Sequence, residues 1–251
     1  MAGRLLTALL LSVLALSVNA GAAGADHAWY VDGQPVHWAS TVDPAVIDLG
    51  DNLDDPVWDS LRFAPSWVWS ATTLPSGGLG PSPYLRVATR TGGLPSNEVE
   101  MYDDFYGANG WVGQATLTFI DSEGHIRGAT IELNRSYLLT PREKHEAINH
   151  EVGHTLGLTH QDGTVMCAVL CGIDNPVAHD YEVLDSVNSH TDAYDTTIPD
   201  VQTPPASVGR TRVRRDGRRG LVYITRLQGG AARVVFRDFV SRKAATAALR
   251  D

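Results

Sequence analysis

The sequence predicts an α+β fold, because its strand signals and its helix signals fall in separate blocks instead of alternating. Alternating apolar segments cluster between residues 84 and 133, and helix starts and stops follow from Thr140 onward. The charge divides as sharply as the pattern. Of 251 residues, 1–209 hold 8 of the 20 Lys+Arg and 26 of the 29 Asp+Glu, a net −18. Residues 210–251 hold the other 12 basic and 3 acidic residues, a net +9. Two separate parts are implied, and a uniformly basic, specific nucleic-acid binder is excluded. With 43% hydrophobic and 20% charged residues, the composition argues against disorder, collagen and coiled coil.

Residues 1–25 read as a cleaved signal peptide. Arg4 supplies a positive start, Leu5 to Val18 form an apolar run broken only by Thr and Ser, and small residues follow at Ala20 and Ala25. That run, at about 1.5 Å per residue, falls short of the roughly 30 Å of hydrocarbon a spanning helix crosses. A secreted protein without a membrane span is the expectation.

Residues 26–195 are expected to form the main domain. Residues 26–50 read as irregular, with Trp29, Tyr30 and Trp38. Acidic residues before Pro56, with Val57, Trp58 and Leu61 on one stripe, predict a short helix that Pro65 ends or kinks. A Pro/Gly-rich loop covers 75–83. Strands are expected at Tyr84–Thr89, Glu98–Tyr102, Val112–Ile120 and Ile126–Leu133, the last two joined by the turn Asp121-Ser122-Glu123-Gly124.

The strongest helix signal is Thr140-Pro141-Arg142-Glu143, where Thr140 is the N-cap, Pro141 the first helical residue and Glu143 the partner in a capping box. Ile148, Val152 and Leu156 repeat every four residues toward a core, and Gly157 ends the helix. A second helix is expected at His179–Ser189. Residues 196–209 read as a linker with Pro, Thr and Ser. In the basic segment 210–251, Leu221–Leu227 and Ala232–Val240 suit a hairpin across Gly229-Gly230, with a helix-permissive end at Ser241–Arg250.

The chemistry lies on the capped helix, in His150-Glu151-Val152-Gly153-His154-Thr155-Leu156-Gly157-Leu158-Thr159-His160. His150 and His154 are one turn apart and project from one face, so both imidazoles can share a metal ion. Gly157 lets the chain leave sharply and bring His160 round as a third ligand. Glu151 sits beside the metal without needing to bind it. Three imidazoles favour zinc, with a fourth position open. A bare His-Glu-x-x-His arises by chance fairly often; Gly157 and His160 at fixed offsets make this instance far more specific.

This extended motif, followed by Met166, resembles the metzincin zinc endopeptidases, most nearly the matrixin-like or reprolysin-like secreted bacterial members. The resemblance covers roughly residues 30–190. It implies a twisted mixed β-sheet packed on an active-site helix, with a C-terminal helix opened by His179-Asp180-Tyr181. His150, His154 and His160 would bind zinc, Glu151 would be the general base, and Met166 would form the tight turn beneath the metal, where an ordinary buried apolar residue is the other reading. The strand in Trp111–Ile120 would be the sheet edge that pairs an extended protein or peptide substrate. Zinc would lower the pKa of its water toward about 7 and polarise the scissile carbonyl, while Glu151 takes the proton. The matrixins' inhibitory propeptide Cys is missing, since Cys167 and Cys171 both follow the motif.

Other residues carry weaker signals. Cys167 and Cys171 permit a disulfide, with free thiols or a metal pair as alternatives. Asp48, Asp51, Asp54 and Asp55 could bind calcium but lack the full loop pattern, so capping and solvated charge compete with it. Tyr181 suits either oxyanion stabilisation or core packing. His145 reads as a surface residue, and His27, His37, His125, His179 and His190 lack ligand spacing. The arginine-rich tail suits contact with an anionic surface, docking onto the acidic body, proteolytic removal, or plain solvation. A competing function is therefore a non-catalytic secreted zinc protein that binds an anionic partner through this tail.

Overall fold

The computed structural model describes residues 27–73, 78–91, 98–197, 205–216, 220–239 and 241. Residues 1–25, expected as a signal peptide, residues 198–204 of the expected linker and the expected helix-permissive end beyond 241 lie outside the described residues.

In chain order the elements are β1 (Tyr30–Val31), β2 (Gln34–Pro35), β3 (Ala45–Asn52), α1 (Pro56–Leu61), α2 (Ala64–Val68), β4 (Ala71–Thr73), β5 (Leu79–Pro81), β6 (Leu85–Thr91), β7 (Val99–Asp104), β8 (Trp111–Ile120), β9 (Ala129–Asn134), α3 (Pro141–Thr155), α4 (Ala178–Asn188), β10 (Arg212–Asp216), β11 (Gly220–Arg226) and β12 (Ala232–Phe239). Eight strands form one mixed sheet in the order β10-β11-β12-β8-β9-β7-β3-β6. The half β9-β7-β3-β6 is parallel, and the half from β10 to β9 is antiparallel. The fold is therefore α+β, with a large mixed sheet and few helices.

The stretch 26–50 is not irregular. It contains β3, an internal strand flanked by β6 and β7. Ile47 and Leu49 are buried on one face, and the off-pattern carboxylates are neutralised: Asp48 lies 3.0 Å from Arg90 Nε and Asp51 lies 3.3 Å from Arg62 Nε. The 75–83 loop likewise carries β5, which pairs with β4. Pro65 does more than end α1; it occupies the first turn of α2. Asp55 caps α1, accepting from the Val57 and Trp58 amides at 2.9 and 3.1 Å.

Both ends of α3 follow from sequence. Thr140 and Glu143 form the reciprocal capping box. At the far end Leu158 N–H donates to Gly153 O at 3.1 Å and Gly157 N–H to His154 O at 3.0 Å, the paired bonds of a Schellman motif. Gly157 has φ +97°, and a Cβ there would strike the Val36 carbonyl, so glycine is required. Ile148, Val152 and Leu156 face the core, and the Trp38 and Trp69 indoles donate to the carbonyls of Thr155 and Asn149 at 2.8 and 3.1 Å. These bonds tie α3 to the loop before β3 and to the end of α2.

The basic segment continues the same sheet. β11 and β12 pair antiparallel across Gly229-Gly230, β10 adds a third strand, and β12 pairs antiparallel with β8. Among the described residues, no helix is long and apolar enough to cross a membrane.

Candidate metal centre

α3 presents His150 and His154 from one face, and both are buried. Past Gly157 the chain runs beside residues 27–29: Ala28 bridges Leu158, and Thr159 N–H donates to His27 O at 2.7 Å. That course returns His160 to the other two. The three imidazoles can offer ligand atoms within 4.8 Å of one another. His154 Nε2 and His160 Nε2 stand 3.3 Å apart. Two ligands about 2.0–2.1 Å from a tetrahedral ion lie about 3.3–3.4 Å apart, so the spacing fits a shared metal.

The protonation pattern fits as well. His150 Nδ1 contacts the Val165 carbonyl at 2.9 Å and His154 Nδ1 the Leu158 carbonyl at 2.8 Å. A carbonyl only accepts, so each Nδ1 carries a proton and each Nε2 of the neutral ring keeps its lone pair. Burial, with His160 nearby, pushes His150 down to about 3 against the Val165 hydrogen bond, and burial with His150 and His160 holds His154 well below its usual range. His150 Nε2 is buried with no hydrogen-bond partner. Lone pairs converging in a dry site repel unless a cation lies between them.

Glu151 is buried beside this cluster, and neither carboxyl oxygen has a hydrogen-bond partner. It leans on Gly113 of β8, where any Cβ would collide with it. Burial, reinforced by Asp238, pushes its carboxyl well above the usual range despite the nearby Ala115 amide.

Met166 is buried under α3, its sulfur against Gly153, where a Cβ would collide with it. Gln161 N–H donates to Met166 O at 2.8 Å and Met166 N–H to Thr164 Oγ1 at 2.9 Å, which closes a tight turn after His160. Cys167 and Cys171 are joined in a disulfide. Glu146 of α3 accepts from the Cys171 and Gly172 amides at 2.6 and 3.1 Å, so this loop is tied to the histidine-bearing helix.

Other expectations resolve differently. The β8 edge that the resemblance assigns to substrate is not free, because β12 lies along it. The four aspartates do not gather into a site: Asp48 and Asp51 pair with Arg90 and Arg62, the Asp54 amide donates to Asp103 at 2.8 Å, and Asp55 pairs with Lys144 at 2.8 Å. Among the described residues they form no metal-competent group. Tyr181 is a packing residue, buried against Trp69 and donating to Val68 O at 3.0 Å. Half-buried His145 faces Asp174 across 3.6 Å.

Five residues to which sequence patterns gave no role come together, two of them at the centre and three in a second cluster. Asp238 is buried within 4.8 Å ligand-atom spacing of His150 and Glu151, and Phe236 stacks on His154. His37, His125 and Asp192 meet from three distant segments. No local signal could announce them, since they are assembled by pairings across 67 residues or more between His125 and Asp192 and further still for the rest. No protein-family model matches the chain, and no curated protein matches it either.

Proposed function

We propose that the protein is a secreted zinc-dependent endopeptidase of the metzincin kind. The observation that carries this reading is the buried convergence of His150, His154 and His160 beside an unpartnered Glu151. A closed structural site has no use for such a carboxylate, whereas hydrolysis needs a base there. The turn containing Met166 beneath α3, and the mixed sheet packed on that helix, support the family resemblance. The apolar run in residues 5–18 supports secretion.

His150, His154 and His160 would hold the ion through Nε2 atoms or their equivalents, oriented by the Val165 and Leu158 carbonyls. Zinc, when bound, supplies the Lewis acidity that polarises a peptide carbonyl and makes a water acidic near neutral pH. Glu151 takes the proton from the attacking water at a carboxylate oxygen and returns it to the departing amine. The buried wall of α3 and β8 keeps bulk water from competing for that proton.

The test is cleavage of casein by the zinc-loaded full chain, read as its basal rate. Hydrolysis should stop on chelation and in Glu151→Gln, while Glu151→Gln retains its zinc. Cleavage that persists in Glu151→Gln would remove the mechanism. The alternative, a non-catalytic zinc protein contacting an anionic partner, draws support from β12 filling the sheet edge. It predicts zinc content with no turnover in any variant and binding to anionic surfaces that weakens with salt.

A further inference from the structure

β12 lies beside the metal centre as an extended peptide would. It pairs antiparallel with β8 from Ala232 to Phe239. Its end is held on the other side by the segment that follows Met166: Leu170 N–H donates to Phe239 O at 3.3 Å, Phe239 N–H donates to Ala168 O at 3.4 Å, and Val169 bridges Phe239 in parallel. Strand alternation buries Val234, Phe236 and Asp238 on one face. Phe236 covers His154, and Asp238 sits opposite Gly113, the residue on which Glu151 leans. Asp238 is only 1% exposed, and its Oδ1 has no hydrogen-bond partner. Two carboxylates buried together beside His150 are costly unless a proton or a cation joins them.

We infer that the basic segment 210–251 acts as a tethered inhibitor through β12, which fills the β8 edge an extended peptide would take and sets the Asp238 carboxylate beside His150 and Glu151. This rests on the zinc-peptidase reading of the same site. Charge favours the docking, since the segment is net +9 against a net −18 for the remainder. Arg226 grips Asp32 through two bonds of 2.7 and 3.0 Å, and Arg237 donates to Gln114 of β8 at 2.7 Å. Asp238 would then crowd the water that hydrolysis needs, next to His150 and Glu151.

The test uses the full chain loaded with cobalt(II) as a visible probe, comparing native protein with Asp238→Asn and Asp238→Ala, each alone and with Glu151→Gln. Loss of the carboxylate should shift the visible absorption and raise cleavage of a quenched peptide at least tenfold. Adding Glu151→Gln should abolish that cleavage and keep the shifted spectrum. An unchanged spectrum overturns the inference whatever the activity, and so does a native rate already equal to that of the variants. A shifted spectrum with no turnover in any form overturns the peptidase reading and the inhibitory role together, leaving Asp238 as a structural neighbour of the ion.

A second, independent cluster lies at the far end of the β8–β9 turn. His37, His125 and Asp192 offer ligand atoms within 4.8 Å of one another. His125 Nε2 and His190 Nε2 each stand 3.4 Å from Asp192 Oδ1, and His37 Nε2 stands 3.6 Å from Asp192 Oδ2. These are close to the tetrahedral ligand spacing of about 3.3–3.4 Å. His37 is 4% exposed, its Nδ1 is engaged by the Pro35 carbonyl at 3.1 Å, and its buried Nε2 has no hydrogen-bond partner. Asp192 is itself anchored by the Ser40 amide at 3.1 Å. We propose that His37, His125 and Asp192 bind a structural zinc ion that ties the N-terminal segment, the β8–β9 turn and the segment after α4 together, with His190 at the rim of the site.

Zinc counted by elemental analysis on the full chain tests this. The native protein should hold two ions, His37→Gln or Asp192→Asn one, His154→Ala one, and His37→Gln with His154→Ala none. A native chain holding one ion, or a count of two that survives both His37→Gln and Asp192→Asn, would overturn the second site.

Discussion

Phe236 lies flat on the His154 imidazole, with ring centroids 4.1 Å apart and planes inclined by 13°. A residue from the basic C-terminal segment thus forms part of the packing around a histidine of the central motif. Phe236 is fully buried and also meets Trp29 edge to face at 5.3 Å. Its truncation to Ala should cost about 3–5 kcal/mol, the usual range for a buried Phe. Urea denaturation measures it, and a loss below about 1 kcal/mol would mean that β12 contributes little to the folded core.

Gly153 sits where α3 passes over Met166. A Cβ there would collide with Met166 Sδ and approach Trp69 to 3.0 Å. Alanine gains about 1 kcal/mol of helix propensity over glycine, but overpacking costs about 1–3 kcal/mol. The net effect expected for Gly153→Ala is destabilisation and a lowered melting temperature. A rise in melting temperature would show that the methionine turn yields freely.

Thr140→Ala removes one half of the capping box and should cost about 1 kcal/mol in chemical denaturation. The hydrogen bonds from the Thr140 backbone and side chain hold Glu143 below its ordinary range. A depressed carboxyl contributes stability that is present above its unfolded pKa and lost as pH falls through the folded one. The penalty of Thr140→Ala should therefore shrink on acidification below about pH 4. A penalty that grows instead would contradict the assigned cap.

Glu98 behaves oppositely. Burial raises its carboxyl to about 7, although its own and the Asp48 amide favour the charged form. A raised carboxyl stabilises fully below the unfolded value and loses that contribution as pH climbs through about 7. Glu98→Gln should match the native protein near pH 4 and exceed its stability above pH 7 by about 1–2 kcal/mol, allowing for residual solvent screening. Equal stability of the two proteins at pH 8 would show that Glu98 ionises without penalty.

What could be read from the chain depended on distance along it. His150, Glu151, His154, Gly157 and His160 span one helix and its exit, so backbone geometry alone gathers them, and the structure brings them together. The capping box at Thr140 was equally legible because its bonds span three residues. β3 was hidden because Asp48, Gly50 and Asp51 are poor strand residues taken alone, and only Arg90 and Arg62 make them tolerable. The hairpin across Gly229-Gly230 was visible, yet its landing place on β8 was not. Local periodicity specifies a strand and leaves its partner open, and β12 pairs with residues more than a hundred positions earlier. The same limit concealed Asp238 beside His150 and Glu151 and the meeting of His37, His125 and Asp192.

β10 makes the sheet's outermost strand on that side, and Arg212 and Arg214 stand exposed on it. A terminal strand offers unpaired amides and carbonyls to any passing chain, and rows of like-charged arginines keep two such edges from joining. Were the C-terminal strands to leave, the new margin would be β8, whose ten residues Trp111–Ile120 include no Lys, Arg, Asp or Glu. The molecule would exchange a self-repelling rim for an adhesive one. Colloidal behaviour would then depend on what lies along β8: a bound peptide would keep the protein dispersed, and a bare margin would draw its copies into assemblies.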